Sequence, residues 1–453
     1  MKIAIIGGGI SGISTAFWLE YFAKERLKSI DITIFEKNKR LGGTINTFYK
    51  DNFIIESGPN GFLDSKPYTV ETFEKAGLGD NLIRSNELAK KRYIMRGGVL
   101  HKLPEKPNEF FSSKLLSFKG KLRVISELFI PAKKDEYDET IEEFAYRRLG
   151  KEAADYLISP MVSGVFAGDP SKLSLKSCFP VIYNLEKEYG GLFKAMFKKK
   201  GKKSGPAGPG GNLTSYKGGL IKGINALTEQ LSNTKIYLGE EVTGLDKTNG
   251  SFKVKTTNSC DNYDIVIITS PAYVAAEFIK GLSVELSDKL LKLNYAPMYV
   301  IGFGFKEEDV LDPLDGFGFL VPHNENRKIL GALFTSSIFP ERAPKGYKLI
   351  RVMIGGDKNR WVLNCSEDEL RDIAFNEIKD ILGVKGNSVV EKSFYWERAI
   401  PQYYQGHEKL VEDIESICMD INNIYIGGNL LYGIGINDCT KRSIDIARGV
   451  LGG

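Results

Sequence analysis

The sequence has 453 residues, of which 42% are hydrophobic, and its formal net charge at pH 7 is +5. This length exceeds what one hydrophobic core usually organises, so two or three domains are expected, and the small net charge gives no reason to expect a nucleic-acid partner. Five scattered cysteines without a Cys-x-x-Cys pair and three widely separated histidines favour a reducing compartment and argue against a metal site. No run approaches the ~20 apolar residues of a membrane-spanning helix, and no signal peptide is expected before the first predicted strand.

The amino-terminal region has the pattern of a strand, a glycine-rich turn and a helix. Residues 3–6 are an apolar run typical of a strand buried on both faces, and apolar side chains recur at helical spacing over 13–27. Between them lies the segment Gly7 to Gly12. Its first glycine permits a tight turn, its third lets the backbone approach a pyrophosphate, and its last lets the helix pack on the strand. A second predicted strand, 30–35, ends at Glu36, whose carboxylate can accept hydrogen bonds from a ribose. The pattern predicts a Rossmann-like dinucleotide-binding fold.

A second glycine pair and a turn follow Glu36 closely. The segment 40–44, Arg-Leu-Gly-Gly-Thr, comes only a few residues after the acid, where its backbone can approach the same dinucleotide. Residues 52–61 are predicted as a strand and a turn, and 69–76 as a helix. Residues 90–104 have the pattern of a two-stranded hairpin around a Gly-Gly pair. The basic side chains of this hairpin suit either a solvated sheet edge or an arm that binds an anion.

The middle of the chain is predicted to be helical. Residues 108–130 form two short helices broken near Gly120, each with an apolar and a basic face, a pattern shared by membrane-surface helices and by helices packed on a core. Helical patterns continue over 135–149 and 153–162, and 163–170 is predicted as a turn whose glycines let the backbone approach a ligand. The cationic, glycine- and proline-rich segment 198–215 is interpreted as a flexible excursion, with contact to anionic lipid as an alternative.

The carboxyl-terminal half returns to mixed strands and helices. A helix is predicted from Tyr216 to Leu231, and strand 252–257 is predicted to pair with 264–268. The remaining predicted elements are strands at 235–238, 241–245, 298–305, 318–321, 329–334, 349–354 and 424–429, and helices at 284–293, 367–382 and 441–451. The last helix can direct its N-terminus at a bound anionic or polarised group.

Several motifs in this order resemble one flavoprotein family. They are the amino-terminal turn with its Gly-Gly partner and the segments 91–94, 163–170, 316–322, 330–334, 339–344, 399–403 and 427–429. Together they are similar to the oxygen-dependent protoporphyrinogen and coproporphyrinogen oxidases of heme synthesis, which belong to an amine-oxidase-like superfamily. The similarity covers nearly the whole chain. It implies an α/β fold with an FAD-binding Rossmann-like domain of the amine-oxidase type, a mixed-sheet substrate domain and a helical subdomain able to contact a membrane.

The resemblance also implies domain boundaries and site residues. The FAD-binding domain would comprise 1–85, 216–275 and 390–453, the substrate domain 86–104 and 276–389, and the helical domain 105–215. The implied FAD contacts are Gly7, Gly8, Gly9, Ile10, Ser11, Gly12, Glu36, Lys37, Arg40, Gly43, Thr44, Gly58, Pro59, Asn60, Gly61, Val242, Trp396, Asn429, Ile434, Gly435 and Ile436. In the substrate site, Arg92 would meet a propionate, Gly164 would border the tetrapyrrole, and Leu320, Leu333 and Met353 would enclose it. Without the resemblance, core packing is the better interpretation of these last three side chains.

The implied reaction removes six electrons from a porphyrinogen in three FAD cycles, with molecular oxygen as the acceptor. Such chemistry needs a positioned flavin and a dry, apolar, disc-shaped slot. No Ser/His/Asp or Cys/His arrangement is recognisable in the sequence, so no catalytic acid or base is assigned and no metal is expected.

Several alternatives stay open from the sequence. One competing hypothesis is an amine-oxidase or carotenoid-desaturase-like flavoenzyme, although an amine oxidase needs an aromatic cage beside the flavin and residues 430–432 offer only one ring. The other is a non-enzymatic binding protein resembling Rab GDP-dissociation inhibitors, against which the intact glycine loops 42–43 and 433–435 argue. Protoporphyrinogen IX and coproporphyrinogen III are both candidate substrates, because the basic residues that suit two or four propionates are Lys90, Lys91, Arg92, Arg327, Lys328 and Arg342. The expected location is the cytoplasm, and both a peripheral contact with the inner face of the membrane through 108–130 and a homodimer are left open.

Overall fold

The structure is a computed structural model that describes residues 1–198 and 211–452. Its strands are β1 Lys2–Ile6, β2 Asp31–Glu36, β3 Thr47–Lys50, β4 Phe53–Glu56, β5 Phe62–Leu63, β6 Leu82–Arg84, β7 Tyr93–Arg96, β8 Val99–Lys102, β9 Leu213–Tyr216, β10 Thr234–Leu238, β11 Val242–Thr248, β12 Ser251–Thr256, β13 Cys260–Tyr263, β14 Ile265–Ile268, β15 Asn294–Lys306, β16 Gly318–Leu320, β17 Gly331–Phe334, β18 Tyr347–Gly355, β19 Val390–Gln402 and β20 Ile424–Ile426.

Its helices are α1 Ile10–Glu25, α2 Pro67–Lys75, α3 Pro107–Ser112, α4 Phe118–Ile125, α5 Ile141–Arg148, α6 Lys151–Ala153, α7 Ser159–Phe166, α8 Leu175–Cys178, α9 Pro180–Tyr189, α10 Leu192–Lys198, α11 Ile221–Glu229, α12 Ala272–Ile279, α13 Val284–Leu291, α14 Thr335–Ile338, α15 Glu367–Leu382, α16 His407–Ile421 and α17 Ile436–Val450. A π-helical turn, Ala154–Ile158, joins α6 to α7. None of the helices within 1–198 and 211–452 has the length and hydropathy needed to span a bilayer.

A five-stranded parallel sheet of order β10-β2-β1-β14-β20 carries the glycine-rich turn. Strand β1 lies at its centre, and every residue of β1 after Lys2 is buried. Helices α1 and α17 pack against each other on one side of this sheet, while α12 and α13 contribute to the apolar core on the other. Burial on both faces explains why residues 3–6 are continuously apolar instead of alternating.

The second large sheet is mixed and has seven strands in the order β19-β15-β18-β17-β16-β7-β8. Its neighbours are antiparallel except for the parallel pair β16 and β7. One face is covered by α15, whose Leu370, Ala374, Ile378 and Leu382 are buried against the sheet. Strand β19 hydrogen-bonds to β15, so residues 390–402 belong to this sheet and not to the parallel one.

The two sheets meet through the β3/β4 hairpin. A Cβ atom added at Gly302 or Gly304 of β15 would come within 2.7 Å of Ile55 or Phe53 of β4. The two glycines therefore let β4 pack directly on the face of the large sheet opposite α15. This contact places the loop after β4 at the junction of the two sheets.

Several sequence predictions about the elements are wrong in detail. The helix break near Gly120 lies earlier: α3 ends at Ser112, and Ser117 caps α4, so that Gly120 is a buried residue inside the helix. Residues 163–166 are the last turn of α7 rather than part of a turn, because the chain leaves the helix only at Ala167, which has a φ of 49°.

The carboxyl-terminal half contains three further differences. Residues 213–216 form strand β9, and α11 starts only at Ile221. Strand β12 pairs with β11 and β13, because 265–268 is taken by the parallel sheet as β14. The final helix begins at Ile436 instead of 441, with Gly435 as its N-cap. Of the basic segment 198–215 that was predicted as flexible, residues 199–210 lie outside the described residues.

Candidate active site

The glycine-rich turn has the geometry that its sequence predicts. Gly7 has a φ of +113°, which side chains rarely adopt, and a Cβ atom added at Gly12 would overlap the carbonyl oxygen of Gly7. A Cβ atom added at Gly9, in contrast, would meet only the Cα of Gly43, at 4.0 Å. Gly7 and Gly12 are thus required by the protein's own packing, whereas Gly9 borders open space in front of the N-terminus of α1. Helix α1 has no side-chain cap, so its first N–H groups are available to an anion.

Glu36 is buried at the end of β2 and contacts the turn. Its carboxylate accepts hydrogen bonds from the Gly8 N–H at 2.8 Å and from the Asn38 backbone and side chain at 2.8 and 2.6 Å. A carboxylate has about four acceptor positions, so one remains for a ribose hydroxyl. Lys37 is exposed, and the Arg40 guanidinium donates to the carbonyl oxygens of Leu41 and Gly43, which fixes the second glycine loop.

Three loops from other parts of the sequence meet at this turn. The Gly42 N–H donates to the Gly8 carbonyl at 2.8 Å, and the Ser57 hydroxyl donates to the Thr44 carbonyl at 2.8 Å. The loop 427–429 closes the remaining side, since a Cβ atom added at Gly428 would lie 3.8 Å from the Ser11 hydroxyl. The segments 7–12, 42–44, 57–61 and 427–429 thus surround one cradle.

The residues that line this cradle fit FAD. The side-chain amide of Asn60 is buried, and neither its oxygen nor its nitrogen has a hydrogen-bond partner among the described residues; the same holds for the Ser270 hydroxyl at the end of β14. Buried polar groups are nearly always hydrogen-bonded, so these groups indicate a bound polar ligand. Together with Gly9 and Gly43, whose backbones lie side by side without side chains to cover them, they match a dinucleotide lying across the turn.

The other predicted FAD contacts lie in several different parts of the fold. Trp396 donates its indole N–H to the Ser57 carbonyl at 3.1 Å, which joins β19 to the loop 57–61. The Asn429 carbonyl accepts from the Tyr403 hydroxyl at 2.6 Å. Val242 lies on β11 in the apolar cluster that includes Ile6 and Phe35, and Ile434 packs on the cluster around Tyr403. Gly435 and Ile436 form the start of α17.

The three apolar side chains predicted to enclose the substrate lie on one face of the seven-stranded sheet. Leu320 and Met353 are both opposite Gly331, and Leu333 is opposite Gly318. The residues that alternate with them along these strands, such as Phe319, Ala332 and Val352, are buried under α15. Leu320, Leu333 and Met353 are only partly buried. Because side chains alternate across a sheet, these three point to the side away from α15, and they form what we call the apolar slot.

Gly164 and Arg92 lie at the borders of the apolar slot. A Cβ atom added at Gly164 on α7 would lie 2.9 Å from Leu320, so this helix approaches the slot closely while Gly164 itself stays exposed. Arg92 precedes β7, whose Ile94 is paired with Leu320, and therefore shares the slot's face. The Arg92 guanidinium is exposed, lies 5.4 Å from the Phe317 ring and has no acidic partner within 1–198 and 211–452.

Most of the other basic residues considered for propionate binding already have partners. Lys90 pairs with Glu87, Lys91 with Asp315, and Arg327 with Glu377 and Asp380. Arg342 is fully buried and lies 3.2 Å from the Glu56 carboxylate, so its guanidinium serves the junction of the sheets and cannot reach a ligand at the surface.

Sequence reasoning missed Arg351. Its side chain is on the same sheet face as the slot, opposite Leu333, and donates to the Gly58 carbonyl. The signal was the single charge within the apolar strand Leu349 to Ile354. Burial lowers the pKa of Arg351 to about 10 and raises the pKa of the nearby Glu56. No group of three or more metal-ligating side chains occurs in the described ranges.

Comparisons with known proteins agree with this geometry. Residues 10–451 match the model of the family described as flavin containing amine oxidoreductase. The chain therefore belongs to this family and is a flavin-dependent oxidoreductase, and the FAD cofactor predicted from the sequence is confirmed.

Its relatives include porphyrinogen oxidases. The chain is 32% identical to protoporphyrinogen oxidase 2, chloroplastic/mitochondrial, of Arabidopsis thaliana, over 96% of this chain and 91% of the relative. It is 31% identical to coproporphyrinogen III oxidase of Bacillus subtilis (strain 168), over 96% and 95%. A crystal structure from Exiguobacterium sp. 255-15 has the same fold, with a TM-score of 0.86, 24% identity and coverage of 99% and 98%. The resemblance recognised in the sequence is confirmed.

Proposed function

We propose that this protein oxidises a porphyrinogen to the corresponding porphyrin in heme synthesis. The observation that carries the proposal is the apolar slot, formed by Leu320, Leu333 and Met353 beside the loop 57–61 of the FAD cradle. The two relatives named above are oxidases of protoporphyrinogen and of coproporphyrinogen III, and both match over nearly their full length. A flat, largely apolar macrocycle suits a slot between a sheet face and a helix.

In this reaction the chain's residues bind and orient the substrate. Bound FAD supplies the two-electron acceptor for each oxidation step. The apolar side chains of the slot would hold the macrocycle and exclude water, and the absence of a side chain at Gly164 lets α7 approach Leu320 at the border of the slot. Arg92, exposed and without an acidic partner in the described residues, is placed to bind a propionate at the rim. We assign no catalytic acid or base.

We propose that the protein accepts porphyrinogens with two or with four propionates. Since Lys90, Lys91, Arg327 and Arg342 are committed to acidic partners, Arg92 and Lys328 are the unpaired cations of that set in the described residues. We therefore expect both substrates to be accepted, with affinity governed by Arg92 in each case.

The substrate is tested by steady-state oxidation of chemically reduced coproporphyrinogen III and protoporphyrinogen IX, followed by porphyrin fluorescence and oxygen uptake. We expect porphyrin to appear with at least one of them, with three O₂ consumed per porphyrin if oxygen is the acceptor. Oxidation of benzylamine or putrescine without porphyrinogen oxidation would instead establish an amine oxidase, and a purified protein without FAD would favour a binding protein.

A control separates the slot from general effects on the fold. Gly164→Leu would press on Leu320 and displace it into the slot, which should raise KM for porphyrinogen or abolish turnover, while FAD content stays unchanged. Gly449→Leu, at an exposed position near the end of α17 where an added Cβ meets nothing within 4 Å, is the matched glycine substitution and should leave KM within twofold.

We also propose that α3, α4 and the turn that follows them contact the surface of an anionic membrane. Phe111, Phe118, Leu122 and Phe129 are 61%, 76%, 51% and 80% exposed and are interspersed with lysines. Co-sedimentation with phosphatidylglycerol vesicles tests this: Phe118→Glu should reduce binding, whereas Met419→Glu, at a 74% exposed position on α16, should not. Equal binding of both variants would remove these helices from the contact. A homodimer stays a prediction.

A further inference from the structure

Arg351 lies between the packed junction and the apolar slot on one face of β18. Along this face, Leu349 is buried against the β4 hairpin, Arg351 follows, and Met353 is part of the slot. The Arg351 guanidinium donates to the carbonyl of Gly58, in the loop that borders the FAD cradle. Only 4% of the residue is exposed, so the charge is shielded from water.

The protein does not fully satisfy this guanidinium. Its Nε has no hydrogen-bond partner among the described residues. The nearest carboxylate, Glu56, already contacts Arg342 at 3.2 Å and accepts hydrogen bonds from the Leu220 N–H at 2.9 Å and the Thr47 hydroxyl at 2.7 Å. Arg342 has a second acid, Glu341, whose carboxylate lies 3.8 Å from the Arg342 Nε. Arg351 has no ion pair of its own in the described part of the chain, so Glu56 offsets its positive charge at the edge of the cradle only in part.

An uncompensated buried charge is costly unless an opposite charge approaches it. A flavin held in the cradle would be a group near the loop 57–61 whose charge changes in the reaction. In each oxidation step a bound flavin would accept a hydride from a substrate C–H bond, so the ring would gain one negative charge. Molecular oxygen would then take up the two electrons, the transferred proton and one proton from solvent to form H₂O₂, which would return the ring to its neutral oxidised form. The slot, in contrast, presents apolar side chains beyond Arg351.

We propose that Arg351 sets the reduction potential of the bound flavin by stabilising the negative charge of the reduced ring. The proposal rests on FAD binding in the cradle and is independent of which substrate the protein oxidises. Arg342, which lies 3.2 Å from the Glu56 carboxylate and donates to the Ser215 hydroxyl at 2.7 Å, supports the carboxylate and is not assigned this role.

The test uses the purified holoenzyme without any porphyrinogen. Sulfite adds to oxidised flavin and leaves a negative charge on the ring, so its Kd reports the positive field at the flavin, and the midpoint potential is measured in parallel with a reference dye. We expect Arg351→Gln to raise the sulfite Kd at least tenfold, which corresponds to a potential about 30 mV lower for a two-electron couple. Arg351→Lys should restore both values to within threefold of the wild type.

Glu56→Gln provides an independent readout with the opposite sign. Removing the negative charge should lower the sulfite Kd and raise the potential, an outcome that damage to the fold would not produce. If Arg351→Gln fails to retain FAD, Arg351→Lys and Glu56→Gln decide the question. The proposal is overturned if Arg351→Gln binds sulfite like the wild type, if lysine and glutamine behave alike, or if Glu56→Gln weakens sulfite binding.

Discussion

Two glycines of the same turn should respond in opposite ways to the addition of one methyl group. In Gly9→Ala the new Cβ has only the Cα of Gly43 nearby, at 4.0 Å, and the backbone φ of −73° is accessible to alanine. The apoprotein should therefore keep its stability to within about 1 kcal/mol, the usual cost of replacing an N-cap glycine by alanine. The methyl group would, however, occupy the space assigned to the pyrophosphate. Overpacking costs of about 1–3 kcal/mol predict FAD binding that is roughly 5- to 150-fold weaker.

In Gly12→Ala the methyl group would overlap the carbonyl of Gly7 and approach the Thr269 hydroxyl at 3.0 Å. Helix α1 must then move away from β1, so the apoprotein itself should lose about 1–3 kcal/mol or more. Urea unfolding of the two apoproteins and fluorescence titration with FAD measure both effects. Equal FAD affinity of Gly9→Ala and the wild type would refute the assignment of the pyrophosphate to this gap. A Gly12→Ala apoprotein of unchanged stability would refute the packing argument.

Three further outcomes are expected. Arg92→Ala should raise KM for porphyrinogen about tenfold without changing FAD content, because it removes one exposed charge-assisted contact; equal KM values would take Arg92 out of the site. Glu127→Ala should cost about 3–5 kcal/mol in urea unfolding, because it leaves the fully buried Arg148 short of its main carboxylate. Burial lowers the pKa of His407, whose ring is stacked 4.0 Å from Tyr403, so the unfolded state binds a proton at a higher pH than the folded state does. The contribution of His407 to the free energy of unfolding is therefore fully present above about pH 6.5 and should be lost as the pH falls below it. The loss should be smaller in His407→Phe.

Local sequence signals predict the bounds of an element where its start and end are marked by neighbouring residues. Helix α15 is predicted with its observed bounds because Ser366 and Glu369 form a capping box at its start and Gly383 ends it in a left-handed conformation. The glycine turn and Glu36 were likewise predicted from residues that are neighbours in sequence. The slot residues came only from the resemblance, since partly buried leucines and methionines are common in any sheet.

Contacts between distant segments could not be read from the order of residues. Strand β14 has the apolar character of a partner for β12, but it is buried between β1 and β20, a choice that depends on helices on both faces. Arg342 resembled a ligand-binding cation until the structure placed it beside Glu56, 286 positions earlier in the chain. Arg351, in contrast, was not predicted as a site residue, because only the fold brings it to Gly58.

In the proposed reaction, the apolar slot holds a porphyrinogen against the flavin of this chain. The most direct measurement mixes the FAD-bound protein with one equivalent of porphyrinogen in the absence of oxygen and records the flavin absorbance in a stopped-flow spectrometer. The account predicts that the flavin band bleaches with coproporphyrinogen III or protoporphyrinogen IX and returns when oxygen is admitted. A flavin that stays oxidised with both porphyrinogens, but is bleached by a simple amine, would contradict it.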